Sequence, residues 1–295
     1  MTRIGSTGCV VGLAATAFAA TAFASAGSSA PLTARASEVA RGSIVFARAG
    51  NVWSAAPDGS RQRRVTRNGT AANPYTSPTQ ADNGTIVALR GTKIYRLNRR
   101  GRVLGRPRVV ATGLRNAGPL HELAIGPAVS PDGKKVALTK ATLQGAYDPR
   151  TGVKGMNLLA VTTEYRSALT GSKLAERHEP GTYLQSPSWI DSRRLLVFAP
   201  YNSYSPQLFI DALGGALQGW FADDLDGSEP FDRKLLDEGE LTRAGDKLAL
   251  IRGTNVEGDW AGAALTLYAV SGFSTAPRAI CSLAVTNGPF AKPTW

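Results

Sequence analysis

The sequence predicts an all-β fold, a β-propeller of about five four-stranded blades, from a repeated motif, its spacing and the strands between its copies. The motif is clearest in Pro127–Lys140, where two apolar runs flank the turn Pro131-Asp132-Gly133. Asp-Gly between apolar runs indicates a hairpin, because glycine accepts the positive φ that reverses the chain. Related motifs begin at Pro74, Pro187, Glu240 and Pro293, so the five copies are 53, 60, 53 and 53 residues apart. A period of this length is typical of an array of similar supersecondary units.

The first two units each show short apolar strands bounded by tight turns. In the first, strands over 43–48 and 51–56 precede the turn Pro57-Asp58-Gly59-Ser60 and a short strand over 63–66. In the second, strands over 85–90 and 93–98 precede the turn Arg99-Arg100-Gly101 and a strand over 106–112. Apolar or alternating runs separated by Gly, Asp and Pro are the pattern of antiparallel strands.

The remaining three units repeat this pattern with longer connections. The third unit has strands over 134–140 and 157–163, separated by a polar insertion, Ala141–Gly155. The later strands cover 193–198 and 207–212 in the fourth unit, and 246–251, 264–272 and 276–283 in the fifth. About fifty residues holding four antiparallel strands is the size of a propeller blade. A sixth blade remains the alternative, should the insertion or the acidic segment near residue 230 contain further strands.

The first unit lacks an inner strand, and the end of the chain supplies a candidate for it. The first unit begins at its second strand, whereas the chain ends on Phe290–Trp295, the opening of the repeated motif. We therefore predict that this C-terminal strand pairs beside Ile44–Ala47 and closes the ring. Closure would remove an open sheet edge, which is a common site of aggregation.

The N-terminal segment has the features of a secretory signal. Arg3 precedes the uncharged apolar run Val11–Phe23, and Ala24-Ser25-Ala26 forms an A-x-A cleavage site. An uncleaved anchor helix is the alternative, but the run is short for a membrane span and rich in Ala and Thr. We predict a signal peptide over 1–26, a flexible lead-in over 27–41 and the propeller over 42–295. The mature protein is then expected to be exported, periplasmic or extracellular, monomeric and without a membrane span.

Two units carry a recognisable order of residues. The first contains Ile44, Phe46, Asn51, Trp53, Asp58-Gly59-Ser60, Arg64 and Thr66, and the third contains Pro127 and Ser130-Pro131-Asp132-Gly133-Lys134. This order resembles the WD40-like (PD40) repeat of the TolB-like β-propellers, and the resemblance covers residues 42–295. It implies a propeller fold and a role as a non-enzymatic protein- or ligand-binding or scaffolding module of the cell envelope.

Candidates for catalysis and cofactor binding are few. The two histidines, His121 and His178, lie outside any metal-ligand spacing and are expected to be solvated loop residues. The sequence has no nucleophile elbow and no phosphate-cradling glycine loop. We therefore expect no catalytic residue and no cofactor. The alternative is an enzyme, a polysaccharide lyase or glycoside hydrolase built on the propeller.

One acidic segment, Ala222–Glu240, supplies the carboxylates for that alternative and a weak calcium candidate at Asp224 and Asp226. Ala222 and Arg233 stand where an EF-hand needs carboxylates, so an exposed polar connection is the preferred interpretation. Paired carboxylates could also act on a glycosidic bond, although the sequence does not give the distance between them.

The charge of the chain favours anionic partners. Its formal charge is +12, from 34 Lys and Arg against 22 Asp and Glu. The arginines cluster in turns or outer strands of the first two units, at Arg61, Arg63, Arg64 and Arg67 and at Arg96, Arg99, Arg100, Arg102, Arg106 and Arg108. Solvated charged turns are the simplest interpretation. The sharper one is a partner-binding surface built on Arg63, Arg64, Arg99 and Arg100, with Trp260 exposed in a loop over 258–262. Predicted export and the absence of a recognised motif argue against nucleic acid, so an envelope protein or anionic envelope polymer is the expected partner.

Overall fold

The computed structural model describes residues 43–114, 118–150, 153, 155–180, 182–199, 207–213, 215–222, 234–256 and 259–285. These residues form strands and turns without a helix. The strands are β1 (Ile44–Arg48), β2 (Asn51–Ala55), β3 (Arg63–Arg64), β4 (Tyr75–Gln80), β5 (Ile86–Arg90), β6 (Lys93–Leu97), β7 (Arg108–Val109), β8 (Leu120–Val129), β9 (Lys135–Gln144), β10 (Asn157–Ser167), β11 (Lys173–Arg177), β12 (Gln185–Trp189), β13 (Arg194–Ala199), β14 (Gln207–Ala212), β15 (Leu217–Ala222), β16 (Lys234–Leu241), β17 (Lys247–Val256), β18 (Asp259–Ala269) and β19 (Arg278–Val285). Within the described residues, no helix is long and apolar enough to cross a membrane.

These strands form five antiparallel sheets, which confirms the predicted five-bladed β-propeller. Strands β4–β7, β8–β11, β12–β15 and β16–β19 each form a four-stranded meander, and β1–β3 form a sheet of three described strands. We number the sheets blades 1 to 5 in chain order, so blade 1 holds β1–β3. The predicted inner strand of blade 1, Phe290–Trp295, lies outside the described residues. Ring closure by the C-terminus therefore stays a prediction, as does the signal peptide.

The alternative of a sixth blade is wrong, because the insertion in the third unit lengthens existing strands. β9 continues to Gln144, and β10 begins at Asn157 and pairs with it. As a result β8, β9 and β10 are 10, 10 and 11 residues long, whereas β5 and β6 of blade 2 have 5 each. Apolar side chains at Ala141 and Leu143, both buried, continue the strand alternation into the insertion.

The core lies between the faces of neighbouring blades. The sequence of β5 is a continuous apolar run because both faces of this strand are covered by neighbouring blades. Val87 and Leu89 pack with Val136 and Leu138 of blade 3. Their neighbours on the opposite face, Ile86 and Ala88, pack with Val45 and Val52 of blade 1. Comparable clusters lie between blades 3 and 4 and between blades 4 and 5.

A β-bulge in the inner strand recurs in blades 2 to 5 and explains the repeated proline. The strand register shifts after Thr76, Ile125, Gln185 and Leu236, which are 49, 60 and 51 residues apart. In three of these blades the bulge holds a residue of positive φ followed by proline, at Ser77-Pro78, Gly126-Pro127 and Ser186-Pro187. Proline has no N–H to donate to a ladder, so it suits a bulge, where the register of the ladder shifts. The motif copy in blade 2 is therefore set by Pro78, and the predicted start at Pro74 is wrong by four residues.

Candidate functional site

In blades 2 to 5 the turns between the first and second strands gather at one end of the ring, where blade 1 has its β2–β3 turn. In an antiparallel meander, alternate turns lie at the same end of the sheet. The turns of blades 2 and 3 contact each other, with the Asp82 N–H donating to the carbonyl of Pro131 at 3.0 Å. The next pair is joined by Lys135, whose Nζ donates to the carbonyl of Ser192 at 2.9 Å. We call this end of the ring the turn face. It also carries the turns between the third and fourth strands.

Two aspartates of the turn face, Asp132 and Asp191, form hydrogen bonds within their own turns. Asp132 Oδ1 accepts hydrogen bonds from the Ser130 hydroxyl at 2.6 Å and the Lys134 N–H at 3.0 Å. Burial opposes its charge, but these hydrogen bonds and two nearby lysines hold the pKa of Asp132 below its ordinary value. Asp191 Oδ1 accepts the N–H groups of Arg193 and Arg194 in the same way. Short polar side chains commonly bond the backbone two residues on, and this makes the turns stiff.

The arginines beside these turns present their charge to solvent. Arg63, Arg99 and Arg100 are exposed, and no described residue accepts a hydrogen bond from their guanidinium groups or forms an ion pair with them. Arg64 is exposed as well, and its Nε donates to the carbonyl of Thr66 at 2.9 Å. The described part of the turn face thus leaves positive charge uncompensated beside carboxylates that are already engaged.

The two predicted arginine clusters lie side by side. Gly101, with φ of 82°, ends the turn that holds Arg99 and Arg100. It packs directly on blade 1, so closely that a Cβ at Gly101 would lie 1.9 Å from the carbonyl oxygen of Val65. Val65 follows Arg64 in the chain. The structure therefore brings the predicted partner-binding arginines of blades 1 and 2 to one boundary between blades.

Beside this boundary the two turns of blade 2 flank an open groove of about 430 Å³, which we call the arginine pocket. Its lining residues are Asn83, Gly84, Thr85, Asn98, Arg99, Arg100 and Leu104. Polar and apolar groups contribute about equally to the exposed lining, and Leu104 is its one aliphatic side chain.

The walls of the arginine pocket are positioned by hydrogen bonds from backbone N–H groups to the Asn98 side chain and by a glycine at position 84. Asn98 Oδ1 accepts the N–H groups of Arg100 and Arg102 at 2.9 and 3.0 Å. On the opposite wall, Gly84 has φ of 82°, and a Cβ there would lie 2.4 Å from Arg99 Nε. The Arg99 side chain can therefore lie across the β4–β5 turn because residue 84 has no side chain.

Further basic side chains occupy the same turns in blades 3 to 5, and the sequence analysis did not single them out. Lys134, Arg193, Arg243 and Lys247 are exposed at or beside these turns. Arg243 reaches from blade 5 to blade 2, where its Nε lies 3.2 Å from Asp82 Oδ1 and its Nη2 donates to the carbonyl of Gln80 at 2.7 Å. Their recurrence next to the Asp or Gly of each turn was the available signal.

Two further predicted sites lie away from this surface or outside the described residues. The prediction that Trp260 lies in a loop is wrong, because it belongs to β18 and pairs with Asn255 of β17. The described pairing of β17 and β18 continues to Val256 and Asp259, away from the turn face. Asp224 and Asp226 lie outside the described residues. Within the described ranges, no three His, Cys, Asp or Glu side chains form a group that could hold a metal ion.

The prediction of a solvated loop residue is confirmed for one histidine and wrong for the other. His178 follows β11 and is exposed, as predicted. The prediction of a solvated loop for His121 is wrong, because it lies in the lengthened strand β8 and is completely buried. Its Nε2 lies 3.0 Å from the carbonyl oxygen of Gly145, and its Nδ1 has no hydrogen-bond partner within the described structure.

Two buried carboxylates are engaged by cations. Asp211 of blade 4 is fully buried, with its Oδ1 2.8 Å from Arg177 Nε of blade 3, and the Tyr165 hydroxyl donates to its Oδ2. Burial raises the pKa of Asp211, against the hydrogen bonds from Tyr165 and Arg177 that favour its charge. Glu164 is 1% exposed and lies 3.0 Å from Arg166 Nη2. The Asp211–Arg177 pair joins blades 3 and 4, the Glu164–Arg166 pair lies within β10, and none of these residues lines the arginine pocket.

No protein-family model matches the chain, and no curated protein matches it. Solved structures do match it. A puromycin-hydrolysing peptidase from Mycobacterium tuberculosis is 19% identical, with a TM-score of 0.40. The match covers 77% of this chain but only 34% of the peptidase, so this chain spans about a third of that protein's length. A protein assigned as TolB from Agrobacterium tumefaciens is 13% identical, with a TM-score of 0.37 over 80% of this chain and 89% of that one. A protein assigned as a gluconolactonase is 14% identical, with a TM-score of 0.43 over 82% and 87%. Similarity at this level concerns the fold alone.

Proposed function

We propose that this protein is an exported β-propeller that binds an anionic partner of the cell envelope through its turn face and catalyses no reaction. The observation that carries the proposal is that Arg63, Arg99 and Arg100 meet no counter-charge among the described residues, on a face where Asp132 and Asp191 are bonded to their own turns. Export rests on the predicted signal segment over 1–26.

Guanidinium groups suit this role because of their geometry and hydration. A planar fork of N–H donors matches the oxygens of carboxylate or phosphate groups, and it is more weakly hydrated than an ammonium group. Stiff turns add to this, because little conformational entropy is lost when their side chains meet a ligand. The turn face therefore favours a partner that carries repeated negative charge.

An anionic envelope polymer fits the turn face better than a compact protein. Exposed basic side chains occur at turns of all five blades, from Arg63 in blade 1 to Lys247 in blade 5. Such a distribution can follow a long chain across the face, whereas a protein contact is usually centred on a few buried anchors. An acidic envelope protein is the other partner of the same charge.

Two buried carboxylates bear on the enzyme alternative. Glu164 pairs with Arg166 and Asp211 pairs with Arg177. A glycoside hydrolase needs one carboxyl group as a proton donor and another as base or nucleophile, both facing the substrate. The pairing favours a structural role for these two side chains, and it supports the binding proposal over a polysaccharide lyase or glycoside hydrolase.

A pair of charge-matched variants tests the proposal. R99S/R100S removes two positive charges from the turn face, and K93S/R150S removes two from the opposite end of the ring, beside the β5–β6 and β9–β10 connections. We expect R99S/R100S to bind an envelope fraction about three- to tenfold more weakly at low salt, and K93S/R150S to bind like the parent protein. The difference should shrink at moderate salt, because salt screens exposed charges.

Two outcomes would contradict this account. Equal binding by R99S/R100S and the parent protein would remove these arginines from the partner surface. Turnover of an envelope polysaccharide by the purified protein, lost in D224N/D226N, would establish the enzyme alternative instead. Thermal unfolding of each variant checks that the fold is intact.

A further inference from the structure

We propose that the arginine pocket binds the phosphate group of a phosphate ester. The inference rests on the proposed function, since it names the anionic group that one part of the turn face recognises. It is carried by the paired arginines, the neutral surroundings and the size of the pocket.

The first argument concerns the number of donors. Arg99 and Arg100 both line the pocket, and neither donates to an acceptor among the described residues. One guanidinium fork engages both oxygens of a carboxylate, which lie in one plane. A tetrahedral phosphate has oxygens left for a second fork approaching from another direction. Two adjacent forks in one pocket therefore fit phosphate better than carboxylate.

The second argument concerns charge. The other lining residues, Asn83, Gly84, Thr85, Asn98 and Leu104, are all uncharged, so the two cations meet no carboxylate in the pocket. Asp82 lies next to this lining in the chain, but its carboxylate pairs with Arg243. Two arginines in one lining without a counter-charge attract an anion, and they attract a dianion more strongly than a monoanion. A phosphate monoester carries close to two negative charges at neutral pH.

The third argument concerns size. At about 430 Å³ the pocket falls in the range of small-molecule sites and leaves room beyond a phosphate group. Leu104 supplies an aliphatic wall, and Asn83, Thr85 and Asn98 are polar side chains on the lining. This combination suits a hydroxylated carbon chain or sugar attached to the phosphate. The pocket thus points to a phosphate ester and away from the free ion.

The experiment compares three probes of similar size by isothermal titration calorimetry on the full chain. Glycerol phosphate carries the proposed group, glycerate replaces phosphate by carboxylate, and glycerol carries no charge. We expect glycerol phosphate to bind at least about tenfold more tightly than glycerate, and glycerol to give no signal. A glycerophosphodiester forms a fourth arm and shows whether the phosphate of a polymer backbone is accepted as well as a terminal one.

Three variants assign the binding to the pocket. R99S and R100S should each weaken glycerol phosphate binding by about tenfold, whereas R106S removes an exposed arginine of the same loop from outside the pocket lining and should have no effect. G84A places a Cβ where Arg99 Nε lies and should weaken binding with both arginines still present. Because Gly84 has positive φ, its thermal unfolding is measured alongside.

The outcomes separate this inference from the proposed function. Equal affinity for glycerate and glycerol phosphate, or unchanged binding in R99S and R100S, overturns the phosphate assignment. If the parent protein binds the envelope fraction through its turn face while glycerol phosphate does not compete, the phosphate inference fails and the proposed function stands. If neither binds, both fail.

Discussion

At the scale of single residues, the turn face shows how side chains of opposite charge take different roles within a few positions. Asp132 and Asp191 are short, and each bonds the backbone of its own turn. Arg99 and Arg100 lie in a turn that has no carboxylate, where Asn98 bonds the backbone instead, and their long side chains are exposed. A surface whose sequence contains both charges can therefore be basic in its effect on a partner.

The buried pair of Asp211 and Arg177 gives a prediction at this scale. Asp211→Ala leaves the Tyr165 hydroxyl and the Arg177 guanidinium without their carboxylate between blades 3 and 4. Removing one partner of a buried ion pair leaves the other charge without a counter-charge, so we expect a loss of about 3 kcal/mol in the free energy of unfolding.

A surface pair provides the control for this prediction. Asp148 and Arg150 form an ion pair with a 3.1 Å separation and side chains 37% and 88% exposed. Asp148→Ala should cost less than about 1 kcal/mol, because exposed ion pairs contribute little. Urea denaturation measures both variants. Equal costs would show that the buried carboxylate is not the stabilising partner.

At the scale of elements, the inner-strand bulge is the feature that the repeat preserves. Ser77, Gly126 and Ser186 have φ of 46°, 51° and 51°, so equivalent positions in three blades adopt the left-handed conformation. Two of the three are serine, which pays a conformational cost that glycine does not. The bulge bends the inner strand and releases one residue from the ladder, and the following strands can then twist into a blade.

Gly126 isolates this conformational cost. A Cβ at Gly126 would have nothing within 4 Å, so Gly126→Ala changes the backbone preference without a steric clash. We expect it to destabilise the protein by about 1 kcal/mol, because alanine disfavours positive φ. Gly118 is equally unobstructed and does not have positive φ. Gly118→Ala should be neutral or slightly stabilising, and a similar loss in both variants on urea denaturation would contradict the bulge interpretation.

In the whole molecule, the ring is stabilised by contacts between blades, and the residues that form these contacts are far apart in the sequence. Ser188 Oγ of blade 4 accepts the Leu241 N–H of blade 5 at 3.3 Å, and Trp189 Nε1 of blade 4 donates to the Ala128 carbonyl of blade 3 at 2.8 Å. Arg243 of blade 5 reaches Asp82 of blade 2. Stability therefore depends on completing the circle, because each blade buries its faces only against its neighbours.

The predicted closure by the C-terminus can be tested by truncation. Deleting residues 291–295 should expose the inner edge of blade 1 and lower the melting temperature by several degrees, as expected for a loss of a few kcal/mol. Arg243→Ala, which removes an exposed ion pair of the same ring, should shift it by much less. An unchanged melting temperature after truncation would exclude the C-terminal strand from the ring.

The type of the blades and their number of about five could be predicted from turn chemistry and strand periodicity, because both are local properties, although a sixth blade stayed as the alternative. Asp-Gly and Pro-rich turns at a near-constant period specify hairpins wherever they occur, and the five units followed from them. The predicted strand positions also agree closely, for example 207–212 in β14 (Gln207–Ala212). The same local reasoning started the second motif copy at Pro74 instead of Pro78, because a bulge is defined by the partner strand and not by the proline itself.

Which charges lie side by side depends on tertiary packing. The sequence offered Arg63, Arg64, Arg99 and Arg100 as one partner-binding surface without a distance between them, and the packing of Gly101 on Val65 shows that the two groups adjoin. The tertiary structure also moved His121 from a solvated loop into a buried strand, since burial depends on what covers a segment. The arginine pocket needs two turns separated in the chain to meet around a glycine at position 84. Sequence patterns report what each segment prefers, whereas the distances between segments are set by the packing of one blade on the next.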